Sequence, residues 1–413
     1  MQARQASKTF IMITVFLDVM GMGLVIPVLP ALVGQLAGSQ EMQATWYGII
    51  MATYGTMQFC CAPALGALSD RFGRRPILLL SIFGLGTSFL VTGMATSLIT
   101  LWLIRLLSGA TGASFSVAGA YMADISPPEE RGKAFGMIGA AFGMGFVFGP
   151  MLGGLLGQHG LRLPFLAAAS MSMINWLYGY FVLPESLPKE KRSPFSLRRA
   201  NPFTALANLS KLEGVGGLIG VFALTVLAQL ILQSTWVLYT TFRFHWTPQD
   251  NGIALFVVGI VSAIVQGGLQ GPLLKRFGEK RLALMGLTSG AIAFFFYGTV
   301  REGWMMYCII FANMLGFAAG PALQAIVSKQ VDPTKQGITM GSLNAINSVM
   351  MVVAPLLGSR TLAWVSNLPP SDWRFGTTFY VACGLQICGL VLATIHFRRQ
   401  RSERLAAAAA TSK

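Results

Sequence analysis

Ionisable side chains are scarce in this chain. Of its 413 residues only 11% are charged, and Asp and Glu together number 15. It has three histidines and five cysteines. His159, His245 and His396 fall near the ends of apolar runs, while Cys60, Cys61, Cys308, Cys383 and Cys388 fall inside them. None has the spacing of a metal ligand set, so no metal centre is expected and the cysteines read as packing residues. The first apolar run follows a short basic tail but lacks a small-residue cleavage site, so no cleavable signal is expected.

What fills the chain instead is hydrocarbon, at 54% of residues. Cutting at charged clusters leaves about twelve apolar spans of ~20 residues, the length that crosses ~30 Å of bilayer core. They fall at 9–34, 45–68, 76–96, 98–123, 133–157, 163–184, 214–240, 251–274, 281–300, 304–328, 337–365 and 375–397. Continuous apolar runs of this length exclude a transmembrane β-barrel, whose strands are short and alternating.

The net charge of +15 is a topology signal. When alternate loops are assigned to one side, starting from the N-terminus, 24 Lys and Arg fall on that side. The opposite side holds only Arg162, Arg243, Arg301, Arg360 and Arg374, and Arg105 lies within a span. That bias predicts that both termini and the 185–213 connector are cytoplasmic, and it needs no nucleic-acid partner. The connector carries Pro188, Pro194 and Pro202 after Pro184, among mixed charges. The run Ala406–Ala410 with Thr411, Ser412 and Lys413 reads as a frayed or disordered tail.

The chain is also a repeat. Gly66-Ala-Leu-Ser-Asp-Arg-Phe-Gly-Arg-Arg-Pro76 returns 205 positions later as Gly271-Pro-Leu-Leu-Lys-Arg-Phe-Gly-Glu-Lys-Arg281. The same shift carries Pro150 and Gly153 onto Pro355 and Gly358, and Pro128, Gly132 and Gly136 onto Pro333, Gly337 and Gly341. One offset at three places means two related halves, in membrane chains the usual build of a transporter. The expected organisation is an N-terminal six-helix half (1–184), a cytoplasmic linker (185–213), a C-terminal six-helix half (214–397) and a cytoplasmic tail (398–413).

Two motifs carry more than topology. In Gly66-x-x-x-Asp70-Arg71-x-Gly73-Arg74-Arg75, Gly66 permits close helix approach and Gly73 suits a tight turn. Asp70 can accept hydrogen bonds at a helix N-terminus, and the arginines supply partners for carboxylates. Positive anchoring alone explains the arginines but not the Asp and the glycines. In Gly145-Phe-Val-Phe-Gly149-Pro150-Met-Leu-Gly153-Gly154, glycines recur every four residues and make one smooth face for close helix packing. Pro150 removes a backbone donor and can bend the helix.

These residues resemble the major facilitator superfamily, and within it the twelve-helix drug:proton antiporters. The first motif matches the signature loop between helices 2 and 3, and the second matches the motif of the antiporter branch. Leu17-Asp18-Val-Met-Gly21-Met-Gly23-Leu-Val-Ile-Pro27-Val-Leu-Pro30, Tyr54-Gly-Thr-Met-Gln58, and Ala118-Gly-Ala-Tyr-Met-Ala-Asp124-Ile with Glu130-Arg131 are similar to tetracycline-resistance exporters. Phe277-Gly-Glu-Lys280, Glu302-Gly-Trp304 and Pro321-Ala-Leu-Gln324 continue the likeness in the second half. The resemblance implies an all-α integral membrane protein of twelve transmembrane helices in two pseudo-symmetric halves. It assigns gating to Gly66, Asp70, Arg71, Gly73, Arg74, Asp124, Arg131, Gly145, Gly149, Pro150, Gly153 and Gly154. It also shows departures: Ser88, Ser262 and Gly290 stand where those exporters carry a helix 3 acid, a helix 8 histidine and a helix 9 aspartate. Those groups serve a metal-chelated drug and its protons, so their loss argues against tetracycline as cargo.

Asp18 lies about ten residues into the first span, ~15 Å deep at ~1.5 Å per residue. A carboxylate there is costly and faces a cavity or a partner. Burial favours its neutral form, which lets it take up and release a proton. Two readings stand: Asp18 is a proton-coupling group, with Arg105 of the fourth span as its proton-coupling companion, or it is permanently paired with a positive group, Arg105 being the nearest. Arg105 itself reads as a fixed countercharge, an anion site or a helix-bundle clamp. Asp124, at the end of that span, pairs with Arg74 or Arg131, or is an ordinary interfacial charge. The offset of 205 puts Asp18 near Ala223, Arg105 on Ile310 and Asp124 on Lys329, so the proton-handling charge belongs to the first half.

The second half offers amides and an aromatic. Gln229, Gln233 and Trp236 share one face of the seventh span, Gln266 and Gln270 one of the eighth, and Asn344 and Asn347 one of the eleventh. Together with Tyr54 and Gln58 these are the substrate-binding candidates, except Gln270, which shares their face only. Their other reading is helix-to-helix hydrogen bonding, because amides in hydrocarbon need partners. The expectation is a monomeric, bacterial inner-membrane antiporter that exports a hydrophobic or amphipathic small molecule against protons. It would use no cofactor beyond the proton gradient, and its partners would be substrate, protons and lipid. A uniporter or a proton symporter for a metabolite or siderophore is the alternative. An intramembrane enzyme lacks any Ser-Lys, paired-Asp or His-rich set.

Overall fold

The structure, a computed structural model, describes residues 2–112, 114–196, 201–207, 216–330 and 336–411. Among these residues no strand occurs and helices account for nearly all of the chain. In hydrocarbon every backbone N–H and C=O must be satisfied internally, and a helix does this within one segment.

Each expected span falls on helix. α1 (Gln2–Val25) and α2 (Leu29–Ala37) share the first span. They part at 26–28, where Pro27 cannot continue the ladder. α3 (Gln40–Phe72) starts on Ser39, whose hydroxyl accepts the Met42 N–H at 3.2 Å. α4 (Arg74–Met94) follows Gly73, which has φ +108°, a value that L side chains rarely adopt. α5 (Leu98–Thr111), capped by Ser97, and α6 (Ser114–Ile125) make the fourth span. α7 (Arg131–His159) and α8 (Leu163–Val182) follow, then a short α9 (Phe203–Ala207) in the connector. α10 (Gly216–Phe244) leads to α11 (Pro248–Ala263), which passes through a π segment, Ile264–Leu269, into α12 (Gln270–Thr299). α12 bends at Gly278, φ +73°. α13 (Trp304–Ala312) and α14 (Gly316–Gln330) share the tenth span, and α15 (Gln336–Val365) and α16 (Thr377–Thr411) complete the chain.

Ten helical stretches among the described residues are long and apolar enough to cross a bilayer. One of them, Pro248–Thr299, holds two of the expected spans, fused across Gly278. α3 is helical over the expected second span but is not one of these ten stretches, carrying Gln43, Gln58, Ser69 and Asp70. The tail is a correction: instead of fraying, α16 runs on to Thr411. Arg, Glu, Leu and Ala, its constituents there, are strong helix formers. Residues 197–200, 208–215, 331–335 (with Pro333), 412 and 413 lie outside the described residues.

Contacts divide the chain into two compact units. Met1–Thr204 packs with Trp236–Ile260, and Ala205–Thr235 packs with Val261–Lys413. The stretch 236–260 belongs to the second half by repeat and to the first unit by contact. In the first unit, Phe10, Ile11, Leu78, Ile82, Val117 and Tyr121 are core side chains, drawn from α1, α4 and α6. In the second unit, α12 meets α14 and α16 closely. A Cβ on Gly286 would lie 2.7 Å from the Leu315 carbonyl oxygen, and Tyr380 Oη donates to the Gly298 oxygen at 3.0 Å. Large apolar side chains stay outside, Phe181 being 78% exposed and Trp364 73%, as lipid contact requires and water would penalise.

Candidate functional site

The first unit contains a buried ionisable cluster. Asp18 of α1 is 3% exposed, and Arg105 of α5 is 8% exposed. Among the described residues neither Asp18 oxygen has a hydrogen-bond partner, although the Ser114 hydroxyl lies beside it. Asp18 and Arg105 form no ion pair; Tyr47 and Tyr54 of α3 lie near Arg105. Tyr54 lies within electrostatic range of both Arg105 and Asp18. An ionised carboxylate without an ionic partner would cost several kcal/mol at such a place. Gln58 sits one helical turn beyond Tyr54; its Nε2 donates to the Gly112 oxygen at 3.2 Å, at the break between α5 and α6.

The loop between α3 and α4 is a charge knot. The Arg74 guanidinium meets Asp70 at 2.5 Å and Asp124 at 3.1 Å, and donates to Ser69 Oγ at 2.6 Å. Asp124 therefore pairs with Arg74 and not with Arg131, which is exposed. Glu130, next to it, is bound by Lys8 at 3.0 Å. A Cβ built on Gly66 meets open space. Among the described residues no close approach is made at Gly66, and its carbonyl accepts the Ser69 hydroxyl at 2.8 Å. Arg71 lies over the Phe72 ring at 5.1 Å.

The glycines of α7 form a seam with two faces. A Cβ on Gly145 would lie 2.8 Å from the Phe16 oxygen, one on Gly149 2.8 Å from the Gly23 Cα, and one on Gly153 would overlap the Leu24 backbone. That face seats α1. Gly154, one residue on, faces α11: its Cβ would lie 2.6 Å from the Pro248 oxygen. Gly252 of α11 returns the contact on the Pro150 carbonyl, also 2.6 Å from a Cβ built there.

The second-half candidates are dispersed. Gln229 and Gln233 belong to the second unit, while Trp236, one turn on, belongs to the first and meets the Trp246 ring edge-on at 6.2 Å. Gln266 is exposed and donates to Ser262 Oγ at 2.7 Å within its own helix. Asn344 and Asn347 are exposed. Ser88 is buried and its hydroxyl has no partner among the described residues. A Cβ on Gly290 would lie 2.9 Å from Gln386 Nε2, so a buried amide fills the space next to that position.

Glu185, in the connector, is not singled out by the sequence. Its carboxylate accepts the N–H groups of Arg74 (2.8 Å), Arg75 (3.3 Å), Ser186 (3.0 Å) and Leu187 (3.0 Å). Ser186 Oγ donates to Asp124 at 3.2 Å. The connector's first residues thus cap the orphaned N-terminus of α4 and close the knot.

A helical chain with this many apolar spans, an internal repeat and a buried carboxylate is built as a membrane transport protein. Residues 11–355 and 218–412 match the model of the Major Facilitator Superfamily, and the chain belongs to that family of transporters, not to an enzyme family. It is 40% identical to the tetracycline resistance protein, class C, of Escherichia coli, over 90% of this chain and 93% of that one. It is 34% identical to the class G protein of Vibrio anguillarum, over 92% and 96%. Among solved structures, a bacterial homologue of the human lysosomal transporter Spinster covers 96% of this chain and 97% of its own, with a TM-score of 0.76 and 13% identity, a likeness of fold.

Proposed function

We propose that the chain is a proton-coupled exporter of a hydrophobic or amphipathic small molecule, working by alternating access. Asp18 carries the reading. It is the deep carboxylate of α1, buried and without a hydrogen-bond partner among the described residues. Tyr54 of α3 stands near both Asp18 and Arg105. Proton occupancy of Asp18 and substrate occupancy favour different conformations, which is the condition for coupling. Similarity to tetracycline resistance proteins of several classes supports drug efflux over uptake. The signature-loop knot and the α7 seam are then gating elements, and the halves 1–184 and 214–397 are the moving repeats. The energy source is the proton gradient without a bound cofactor. The protein sits as a monomer in a bacterial inner membrane with both termini cytoplasmic.

The cargo differs from that of the similar exporters. Ser88 and Ser262 supply hydroxyls where those exporters hold ionisable groups, and Gly290 supplies no side chain. A pocket without those charges favours neutral, cationic or amphipathic compounds over a metal-chelated tetracycline. The test is proton movement in proteoliposomes while a panel of lipophilic drugs and Mg2+–tetracycline is added, beside an Asp18→Asn control. Drug-dependent proton release that disappears in the control is expected. Drug movement with no proton movement would replace antiport by uniport.

A further inference from the structure

The offset of 205 carries charges of opposite sign onto one another. Asp70 falls on Lys275, Arg74 on Glu279 and Asp124 on Lys329. The loop geometry survives the change. Gly73 has φ +108° and ψ 159°, and Gly278 has φ +73° and ψ 162°. Arg71 lies 5.1 Å over Phe72, and Arg276 lies 5.5 Å over Phe277. Arg75 donates to the Tyr180 oxygen at the end of the sixth span, and Lys280 to Gln400 Oε1 at the end of the twelfth. The ion pair survives too: Arg74–Asp124 at 3.1 Å is answered by Glu279–Lys329 at 2.5 Å. Each joins the start of one helix, α4 or the second limb of α12, to the end of another, α6 or α14.

Topology does not explain this, since positive anchoring would keep a cation at 279 instead of installing an acid. Loop packing does not explain it, since packing needs no complementary change fifty residues away. What both halves keep is opposition of charge between the two positions. The pattern extends in sequence to Lys8 and Glu130, an ion pair at 3.0 Å. Their counterparts are Glu213 and Lys335, again reversed, which lie outside the described residues.

We propose that Glu279 and Lys329 form a second gating latch of inverted polarity, the pair holding the 275–281 loop to the end of α14 in one access state. This rests on the gating role given above to the Arg74 knot. The two latches differ in strength. Arg74 is 12% exposed and Asp124 24%, whereas Lys329 is 71% exposed. Gly73 is also backed by Glu185, while a Cβ on Gly278 meets nothing within 4 Å. An exposed pair is worth a factor of about two to five, so the second latch is the weaker and opens more readily.

The test uses Glu279→Lys, Lys329→Glu and the double reversal in the full chain, reconstituted in lipid nanodiscs. Amide exchange is read over 271–282 and 320–330, and uptake of tetracycline and ethidium is measured in everted vesicles. Each single reversal is expected to speed exchange across 271–282 and to lower maximal uptake about two- to fivefold, leaving the probe KM unchanged. The double reversal is expected to restore both. A double variant as impaired as the singles, or singles whose exchange matches the parent, overturns the proposal. A matching cycle on Arg74 and Asp124 separates the two ideas. Coupling there without coupling at 279 and 329 removes only the second latch. Restored exchange without any effect on uptake in either cycle removes the gating reading itself.

Discussion

The Glu185 carboxylate occupies the space where Gly73 would carry a side chain. A Cβ at 73 would overlap Oε2, and the same carboxylate accepts the N–H groups of Arg74 and Arg75. The glycine is thus required twice: by its φ of +108° and by the acid that seals the helix start. Glu185→Ala should lower stability by about 1–2 kcal/mol, the range for loss of an N-cap, with Glu185→Gln losing less. Thermal unfolding in detergent measures it, and an unchanged midpoint for the Ala variant would show that solvent replaces the carboxylate freely.

Asp18→Asn keeps the shape of the side chain and removes its proton chemistry. Uphill export should fall to background while exchange of substrate at equal pH continues. Accumulation measured with and without a protonophore checks this. Unchanged uphill export would move the coupling role to Arg105 or Asp124.

Arg74 and Asp124 should behave as one unit. Asp124→Ala leaves a nearly buried guanidinium with fewer partners, at a cost of about 1–3 kcal/mol. Reversing both charges should recover part of that loss, with a coupling of about 1 kcal/mol in a double-mutant cycle read by unfolding. Strict additivity of the two single variants would mean that they do not interact.

The same substitution should have opposite effects at two glycines of α7. A Cβ on Gly149 meets the Gly23 backbone, whereas one on Gly139 meets nothing within 4 Å. Gly149→Ala should destabilise by about 1–3 kcal/mol or more, as overpacking does. Gly139→Ala should stabilise by about 0.5–1 kcal/mol through helix propensity. Similar shifts at the two sites would remove the seam as the reason for the glycines.

Cargo choice can be checked in a pump-deficient bacterium expressing the chain. Lipophilic drugs should be excluded more strongly than tetracycline. Proton-dependent exclusion of tetracycline alone would mean that Gln229, Gln233 or Gln266 substitutes for the charges absent at 88, 262 and 290.

Much of this architecture can be read from residue pattern, because length and apolarity in a bilayer leave few solutions. The apolar runs located the helices, and the glycines at 145, 149 and 153 do share a face. Partners are less legible. Asp124 had two arginines within reach in sequence, and only the fold brings Arg74 to it. Glu185 lies more than a hundred residues from the N–H groups it caps, so no local pattern announces it. Gly66, marked by its motif for close approach, meets open space in this structure. A motif names residues that matter together and does not say which atoms touch.

The π segment at Ile264–Leu269 has a consequence for anyone scanning this helix one residue at a time. A wider turn admits one extra residue, so positions after it are rotated by about 100° relative to those before. Gln266 and Gln270, which a regular helix would stack on one side, straddle that slip. A label walked from 255 to 275 should therefore report a periodic signal that jumps phase near 267, and a face mapped upstream should not be extrapolated downstream. Deleting one residue within the segment would restore a regular period, and Ser262 and Gln270 would keep the common side that the wider turn already gives them.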